Sequence, residues 1–259
     1  MRISTITSKI RTFNEKTHIL GVIFWIVVWE LAAVMLKMDI LLPGPVKVFR
    51  KLLLLMVSKE LYRTIFVSAL HILAGFLLAM AAGLALGAAS VKSRWLRELC
   101  RLPVSVIKAT PVASFIILLL VWVSSYRLSA FVSFLMAFPI FYTNVCEGIL
   151  TTDQKMLEMS SVFKMTLGRK IRYIYIPCLI PYIRASVKVA MSFCVKAGVA
   201  AEVIGLSKDS IGEKLYMSKV YFETDALFAW TIVVIAVSVL FTKIVLFVTE
   251  ACLKKLEGR

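Results

Sequence analysis

The sequence contains no phosphate-binding loop of the form GxxxxGK[ST], so the chain has no usual means of holding a nucleotide. It has only two histidines, His18 and His71, and neither stands at metal-ligand spacing from a cysteine or carboxylate. The five cysteines are scattered, and no recognisable set of Ser, His and Asp occurs. These absences predict a chain that is not an enzyme and that carries no metal and no cofactor of its own.

Acidic residues are also scarce, with 15 Asp and Glu against 31 Lys and Arg, for a net charge of +16. The basic residues lie between apolar runs and never form a patch interleaved with aromatics, so we expect no nucleic-acid partner. Hydrophobic residues make up 60% of the chain, and the mean hydropathy is +0.88. This composition predicts an all-α integral membrane protein, because helices satisfy their own backbone groups in lipid.

Apolar runs predict six transmembrane helices, at about residues 19–36, 62–90, 105–123, 128–149, 180–201 and 226–249. Pro111 is expected to kink or start the third span. The loop before that span is basic and the 202–225 loop is acidic, which places both termini in the cytoplasm of a cell-membrane protein. One membrane domain, residues 19–250, then lies between cytoplasmic tails at 1–18 and 251–259. The basic segment 37–61 would then lie outside, along the membrane interface, which is an exception to the rule that basic loops face the cytoplasm.

Small residues recur every four positions in the second span. They are Gly75, Ala79, Gly83 and Gly87. Such a face lets another helix approach closely, and we expect it to pack within one chain rather than between subunits.

Residues 153–176 are too polar to cross a bilayer and carry more basic than acidic side chains. Apolar residues at helical spacing on both sides of Gly168 predict two short amphipathic helices with a glycine break. Periodicity alone leaves two interpretations open. The segment could lie flat on the membrane surface, or it could dock onto a soluble partner.

A resemblance favours docking. Glu158, followed nineteen residues later by Pro177 in Tyr175-Ile176-Pro177, resembles the cytoplasmic signature of permease subunits in binding-protein-dependent ABC importers. That family pattern runs Glu-Ala-Ala, three residues, a Gly and eventually an apolar residue before Pro. Here Met159 and Ser160 replace the alanines, and Lys164 stands where the glycine belongs.

Further motifs are similar, in the same order, to the nitrate, sulfonate and taurine branch of that family, over about residues 20–245. They are Trp29-Glu30-Leu31, Leu42-Pro43-Gly44-Pro45, Ser68-Ala69-Leu70 with Gly75-Phe76, and Ala200-Ala201-Glu202. The chain departs from this branch at His71 and Lys196, where the branch usually or commonly carries an arginine.

The resemblance implies a type I ABC importer permease-like fold with cytoplasmic coupling helices. The ATPase-coupling residues would be Glu158, Val162, Phe163, Lys164, Gly168 and Pro177. The implied partners are an ABC ATPase subunit dimer, a second copy of the permease, an extracytoplasmic substrate-binding protein and membrane lipid. ATP and Mg²⁺ would bind the ATPase. The cargo would be a small solute such as a sulfonate, nitrate or a vitamin precursor. The alternative is a secondary transporter or channel that needs no ATPase.

Cationic side chains recur in the fifth span at Arg184, Lys188 and Lys196, along one helical stripe. Lys196 lies about 18 Å deeper than Arg184 at 1.5 Å per residue. A lone ammonium at that depth would cost about 3 kcal/mol on insertion scales. It therefore needs a partner or a watery cavity.

Two interpretations of this stripe remain open. Depth matching favours internal ion pairs, between Lys196 and Glu30 and between Glu147 and either Arg184 or Lys188. Otherwise the stripe would be a cationic path for an anionic substrate.

Two further residues complete the candidate path. His71, in an apolar span, is predicted to be a hydrogen-bonded packing residue rather than a gate or ligand. Glu202 is predicted to cap the outer end of the fifth span and resembles a family glutamate; its simplest role is that of a helix-end charge.

Overall fold

The computed structural model describes residues 3–257, with side chains described for residues 20–254. Within this part of the chain all regular structure is helical. The helices are α1 (Ile3–Leu36), α2 (Pro45–Val57), α3 (Lys59–Lys92), α4 (Arg94–Ala109), α5 (Val112–Leu119), α6 (Ser125–Leu150), α7 (Gln154–Val162), α8 (Leu167–Lys170), α9 (Ile176–Gly205), α10 (Ile211–Val220) and α11 (Thr224–Glu257). A π-helical turn, Ile171–Tyr175, joins α8 to α9 without a loop.

The centre of the bundle is formed by α3 packed on α6. A Cβ added at Gly75 would lie 2.2 Å from the carbonyl oxygen of Ala130, and one at Gly83 would lie 2.5 Å from the Cβ of Phe141. Only glycine permits this approach, so the small-residue face packs within the chain, as predicted. Because the contacts advance in the same direction along both helices, α3 and α6 run parallel.

α9 completes the core and runs antiparallel to α6. Its first turns approach the end of α6, where Gly148 faces Tyr182, and its last turn approaches the start of α6, where Gly205 faces Leu128. Residues of these three helices form most of the buried apolar core. The direction of α9 is therefore opposite to that of α3 and α6.

The predicted third span, 105–123, is not one helix. α4 and α5 meet at an angle of 107° across Thr110 and Pro111. Thr110 is extended, with φ −83° and ψ 132°, since a following proline disfavours the helical conformation. The break lies at Pro111, as predicted. The helical structure, however, begins at Arg94, eleven residues before the predicted start of the span. Because α3 and α6 are parallel, α4 and α5 together must carry the chain back.

Three helices in the described part of the chain are long and apolar enough to cross a membrane. They are α3, α6 and residues Thr224–Lys254 of α11, and the bent α4–α5 pair would add a fourth. Residues Leu20–Leu36 form a shorter apolar helix, and α9 is not in this group. The structure is thus that of a multi-pass membrane protein, while six spans stay a prediction.

Helix also occupies segments that the sequence assigned to tails and loops. α1 begins at Ile3 and α11 ends at Glu257, inside the predicted tails 1–18 and 251–259, whose side chains mostly lie outside the described residues. α10 lies within the predicted acidic loop 202–225. An ion pair between Lys214 and Glu60 joins α10 to the start of α3. A second ion pair, between Arg63 and Asp209 at 2.8 Å, joins the turn before α10 to α3.

Candidate docking segment and cationic face

The segment before α9 begins with a capped helix. The side chain of Asp153 accepts a hydrogen bond from the backbone N–H of Lys155 at 2.9 Å, at the start of α7. At the other end, the N–H of Lys164 donates to Ser161 O at 3.0 Å, and the N–H of Met165 donates to Ser160 O at 2.9 Å. This pair of bonds is a Schellman motif, which requires a left-handed residue after the helix.

Lys164 is that left-handed residue, with φ 47°. It occupies the position where the family pattern has glycine, so the substitution does not remove the turn. Gly168, by contrast, lies inside α8, and a Cβ added there would meet nothing within 4 Å. The predicted break at Gly168 is therefore wrong. The chain turns at Lys164, because the hydrogen-bond pattern of α7 ends there.

The two short helices leave large apolar side chains uncovered. Val162 is 79% exposed and Phe163 is 73% exposed, and Leu167 is exposed beside them. Glu158 is also exposed, on the same helix as Val162. Pro177 stands in the first turn of α9, directly after the π-helical turn Ile171–Tyr175. The candidate coupling residues are thus all exposed, and the last of them stands where α9 begins.

α9 presents a cationic face. Arg184, Lys188 and Lys196 are all exposed on this helix, although its other face is buried against α3 and α6. No ion pair joins any of the three to an acidic residue in the described part of the chain. We call these three residues the cationic face.

The internal ion pairs expected for these cations are not formed. The carboxylate of Glu30 lies at the α1–α2 corner instead, where its Oε2 would be 3.0 Å from a Cβ added at Gly44. Glu147 is exposed near the C-terminal end of α6 and pairs with neither Arg184 nor Lys188. Matching depth along the sequence does not bring the charges together, because it ignores the rotation of each helix about its axis.

Glu202, near the end of α9, is fully buried. Its Oε2 accepts hydrogen bonds from Ser68 Oγ at 2.8 Å and from the N–H of Gly212 at 3.2 Å. Gly212 must be glycine, since a Cβ there would lie 2.3 Å from the Cβ of Glu202. The carboxylate thus stands at the start of α10, where the helix dipole favours a negative charge, while its Oε1 is buried without a hydrogen-bond partner among the described residues. Glu202 is an anchor between helices rather than a path residue.

His71 packs as expected but lacks the expected hydrogen bond. Its ring lies edge-on to Tyr126, with the centroids 4.4 Å apart. Its Nδ1 is buried and has no hydrogen-bond partner among the described residues. His71 is therefore a packing residue in the contact between α3 and α6.

Two of the sequence motifs meet in space at the α1–α2 corner. The indole Nε1 of Trp29 donates to the carbonyl of Pro43 at 3.1 Å, and the ring stacks on Phe228 at 5.5 Å. The neighbouring Glu30 occupies the space that Gly44 leaves open. The motifs Trp29-Glu30 and Pro43-Gly44 therefore form one structural unit.

Sequence reasoning missed Ser68 as the partner of Glu202, and it missed α10. A signal for α10 was present, because Ser210 followed by Glu213 has the spacing of a helix-capping box. Ser210 Oγ accepts from the N–H of Glu213 at 3.1 Å, and Glu213 in turn accepts from the N–H of Asp209 at 2.8 Å.

The bundle, the exposed docking segment and the uncovered cationic face define a membrane-embedded transport subunit. The chain belongs to the family described as binding-protein-dependent transport system inner membrane components, whose sequence pattern matches residues 72–257. It is a permease of the ABC importer type, and the family consists of non-catalytic subunits.

Curated relatives agree with this assignment. The chain is 25% identical to the putative aliphatic sulfonates transport permease protein of Bacillus subtilis strain 168, over 74% of this chain and 70% of the relative. It is 26% identical to the nitrate import permease protein of Synechococcus elongatus, over 70% and 68%. A probable ABC transporter permease protein of Brucella melitensis is 24% identical over 73% and 77%.

A solved structure supports the fold. The crystal structure of an amino acid ABC transporter with histidines aligns with a TM-score of 0.54 at 17% identity. The alignment covers 74% of this chain and 90% of that chain. At this identity the likeness concerns the fold alone.

Proposed function

We propose that this chain is the membrane permease subunit of an ATP-driven importer and forms, with a second copy, the translocation path for a small anion. The choice of an anion as cargo rests on the cationic face of α9. Its three side chains form no ion pair with any described acidic residue. Two relatives at 25–26% identity are named for sulfonates and nitrate, and both of these are anions.

Solvation gives the physical argument. Each lysine or arginine near the centre of a bilayer costs about 3 kcal/mol on insertion scales, so a stripe of them facing lipid is strongly disfavoured. A second copy closing over the cationic face would create a watery path instead. Unbalanced positive charge along such a path raises the local concentration of anions. The same residues would then be both tolerated in the membrane and useful for transport.

The docking segment supplies the proposed link to a separate ATPase. Apolar side chains on α7 and α8, led by Phe163, are exposed beside Glu158 and would enter a groove on the ATPase, which binds ATP and Mg²⁺. In this arrangement the chain crosses the membrane six times and both termini lie in the cytoplasm. The opposite end, which includes α10, would receive the extracytoplasmic substrate-binding protein.

Replacing Lys196 by methionine tests the proposed path. In membranes that contain the whole transporter, we expect Lys196→Met to lower uptake of nitrate and of an alkyl sulfonate about tenfold, as for loss of about 1.4 kcal/mol. Expression and the midpoint of thermal unfolding should not fall, because Lys196 has no ion-pair partner to leave unpaired.

The matched control is Lys243→Met, which removes an exposed lysine from α11 that likewise forms no described ion pair. This control should transport both anions at the original rate. Equal uptake by the two variants would show that Lys196 reaches the headgroup region and would remove the argument for an anionic cargo.

A further inference from the structure

A cavity of about 570 Å³ opens at the end of the bundle where α3 and α11 begin. The loop after α1, helix α2, the turn between α10 and α11 and the first residues of α11 line this open cavity. Its apolar lining includes Ile40, Leu54 and Phe222, and its charged lining includes Lys47, Arg50 and Asp225. Neither the cationic face nor the docking segment contributes to this cavity.

Most of the charges at the cavity are neutralised within the chain. Lys47 pairs with Asp39 at 2.5 Å, and Lys51 pairs with Glu223 at 3.2 Å. Arg50 and Asp225 remain. Among the described residues, neither forms an ion pair with the other or with a third group. One free cation and one free anion thus line the same cavity.

The position of α2 indicates contact with the membrane surface. α2 directly precedes α3, and it packs against α11. Its exposed side chains are mainly apolar and include Val46, Phe49 and Leu53, while Lys47 and Arg50 stand between them. A helix with this pattern beside the ends of membrane-spanning helices lies at the boundary between headgroups and acyl chains.

We propose that this cavity binds the headgroup of a phospholipid that carries both a phosphate and a primary ammonium, a phosphatidylethanolamine. Arg50 offers the phosphate two parallel N–H donors, and Asp225 accepts hydrogen bonds from the ammonium. Leu54 and Phe222 contact the glycerol and the first acyl carbons. The pairing of one free cation with one free anion matches a zwitterion.

Other headgroups fit the cavity less well. A glycerol headgroup supplies no cation for Asp225, and a choline headgroup cannot donate a hydrogen bond to it. Phosphatidylethanolamine should therefore bind more tightly than phosphatidylglycerol or phosphatidylcholine, by about tenfold for the loss of one charge-assisted hydrogen bond.

Native mass spectrometry of the full-length chain, titrated with each of these three lipids, tests the proposal. Arg50→Gln and Asp225→Asn should each weaken phosphatidylethanolamine binding about tenfold. Asn retains the oxygen that accepts from the N–H of Ala226 at 2.8 Å, so this hydrogen bond in the first turn of α11 is kept in the second variant.

Two matched variants control for general loss of charge. Arg127→Gln removes an exposed arginine that forms no described ion pair and that lies at the start of α6, at the same end of the bundle as the cavity. Asp153→Asn changes a helix-capping aspartate at the opposite end of the bundle. Neither should alter lipid binding. Equal affinity for the three lipids, or equal losses in the control variants, would overturn the proposal. Displacement of the lipid by millimolar O-phosphoethanolamine would overturn it in favour of a soluble ligand.

Discussion

The hydroxyl of Ser68 on α3 donates a hydrogen bond to the carboxylate of Glu202 on α9 at 2.8 Å, and both residues are fully buried. The same hydroxyl oxygen accepts a hydrogen bond from the backbone N–H of Ile211 at 2.9 Å. A single side chain thus connects three helices, α3, α9 and α10. The connection places α10 over the end of the core.

Replacing Ser68 by alanine should destabilise the protein by about 2–4 kcal/mol, because it leaves the N–H of Ile211 and one bond of Glu202 unsatisfied in a buried place. Thermal unfolding in detergent measures the loss. Ser192→Ala is the matched control, since Ser192 Oγ bonds only Lys188 O of its own helix, at 3.2 Å. If both variants unfold at the same temperature, Ser68 does not support Glu202.

Replacing Lys164 by glycine should stabilise the end of α7 by about 1 kcal/mol, because glycine adopts the left-handed conformation without a Cβ penalty. Hydrogen exchange at the amides of Lys164 and Met165, which close the Schellman motif, should slow about fivefold. Lys164→Ala removes the same charge and keeps the backbone penalty, so its exchange should not slow. Equal slowing in both variants would assign the effect to charge instead.

Replacing Phe163 by alanine should weaken retention of the ATPase subunit without destabilising the permease, because the side chain is 73% exposed. An interface aromatic of this kind contributes about 2 kcal/mol or more. Co-purification of a nucleotide-binding subunit and the unfolding midpoint measure the two effects. Trp95→Ala is the control, since this exposed aromatic begins α4 at the same end of the bundle. Full retention of the ATPase by Phe163→Ala would leave α7 as a membrane-surface helix.

Single cysteines test the membrane topology in a chain without its native cysteines. Lys208 and Ser161 are exposed and lie beyond opposite ends of α9. A cysteine at position 208 should react with an impermeant thiol reagent on intact cells, and one at 161 only after permeabilisation. The acidic 202–225 segment and the basic docking segment motivate this orientation. Labelling of both positions from the same side would contradict the crossing of α9.

The sequence located the long helices because lipid imposes a simple length requirement. Apolar runs of about 20 residues or more predict membrane-crossing helices. α3 and α6 extend no more than three residues beyond their predicted limits, whereas α11 continues eight residues past its predicted end at residue 249. Pro111 marked the break in the third run correctly. The 107° angle could not be predicted, because it depends on the packing of α4 and α5 against the finished bundle.

Side-chain partners were harder to predict than helices. Residue counting placed Lys196 and Glu30 at similar depths, but it does not say which way each side chain points. Glu30 lies against Gly44, and Lys196 is exposed on α9. Glu202 looked like a helix-end charge, and its burial follows from the return of α10 over α9. That return depends on a Leu206 φ of 51°, which leucine rarely adopts, and on an Asp209 φ of 58°.

The π-helical turn Ile171–Tyr175 has a mechanical consequence. It joins α8 to α9 with continuous helical backbone, so no loop separates the residues of α8 from Lys196. α9 is about 45 Å long at 1.5 Å per residue, and a tilt of about 5° at its first turn would move its far end by about 4 Å. A tilt imposed on α8 would therefore displace the residues of the cationic face, and the displacement would grow with their distance from the first turn of α9.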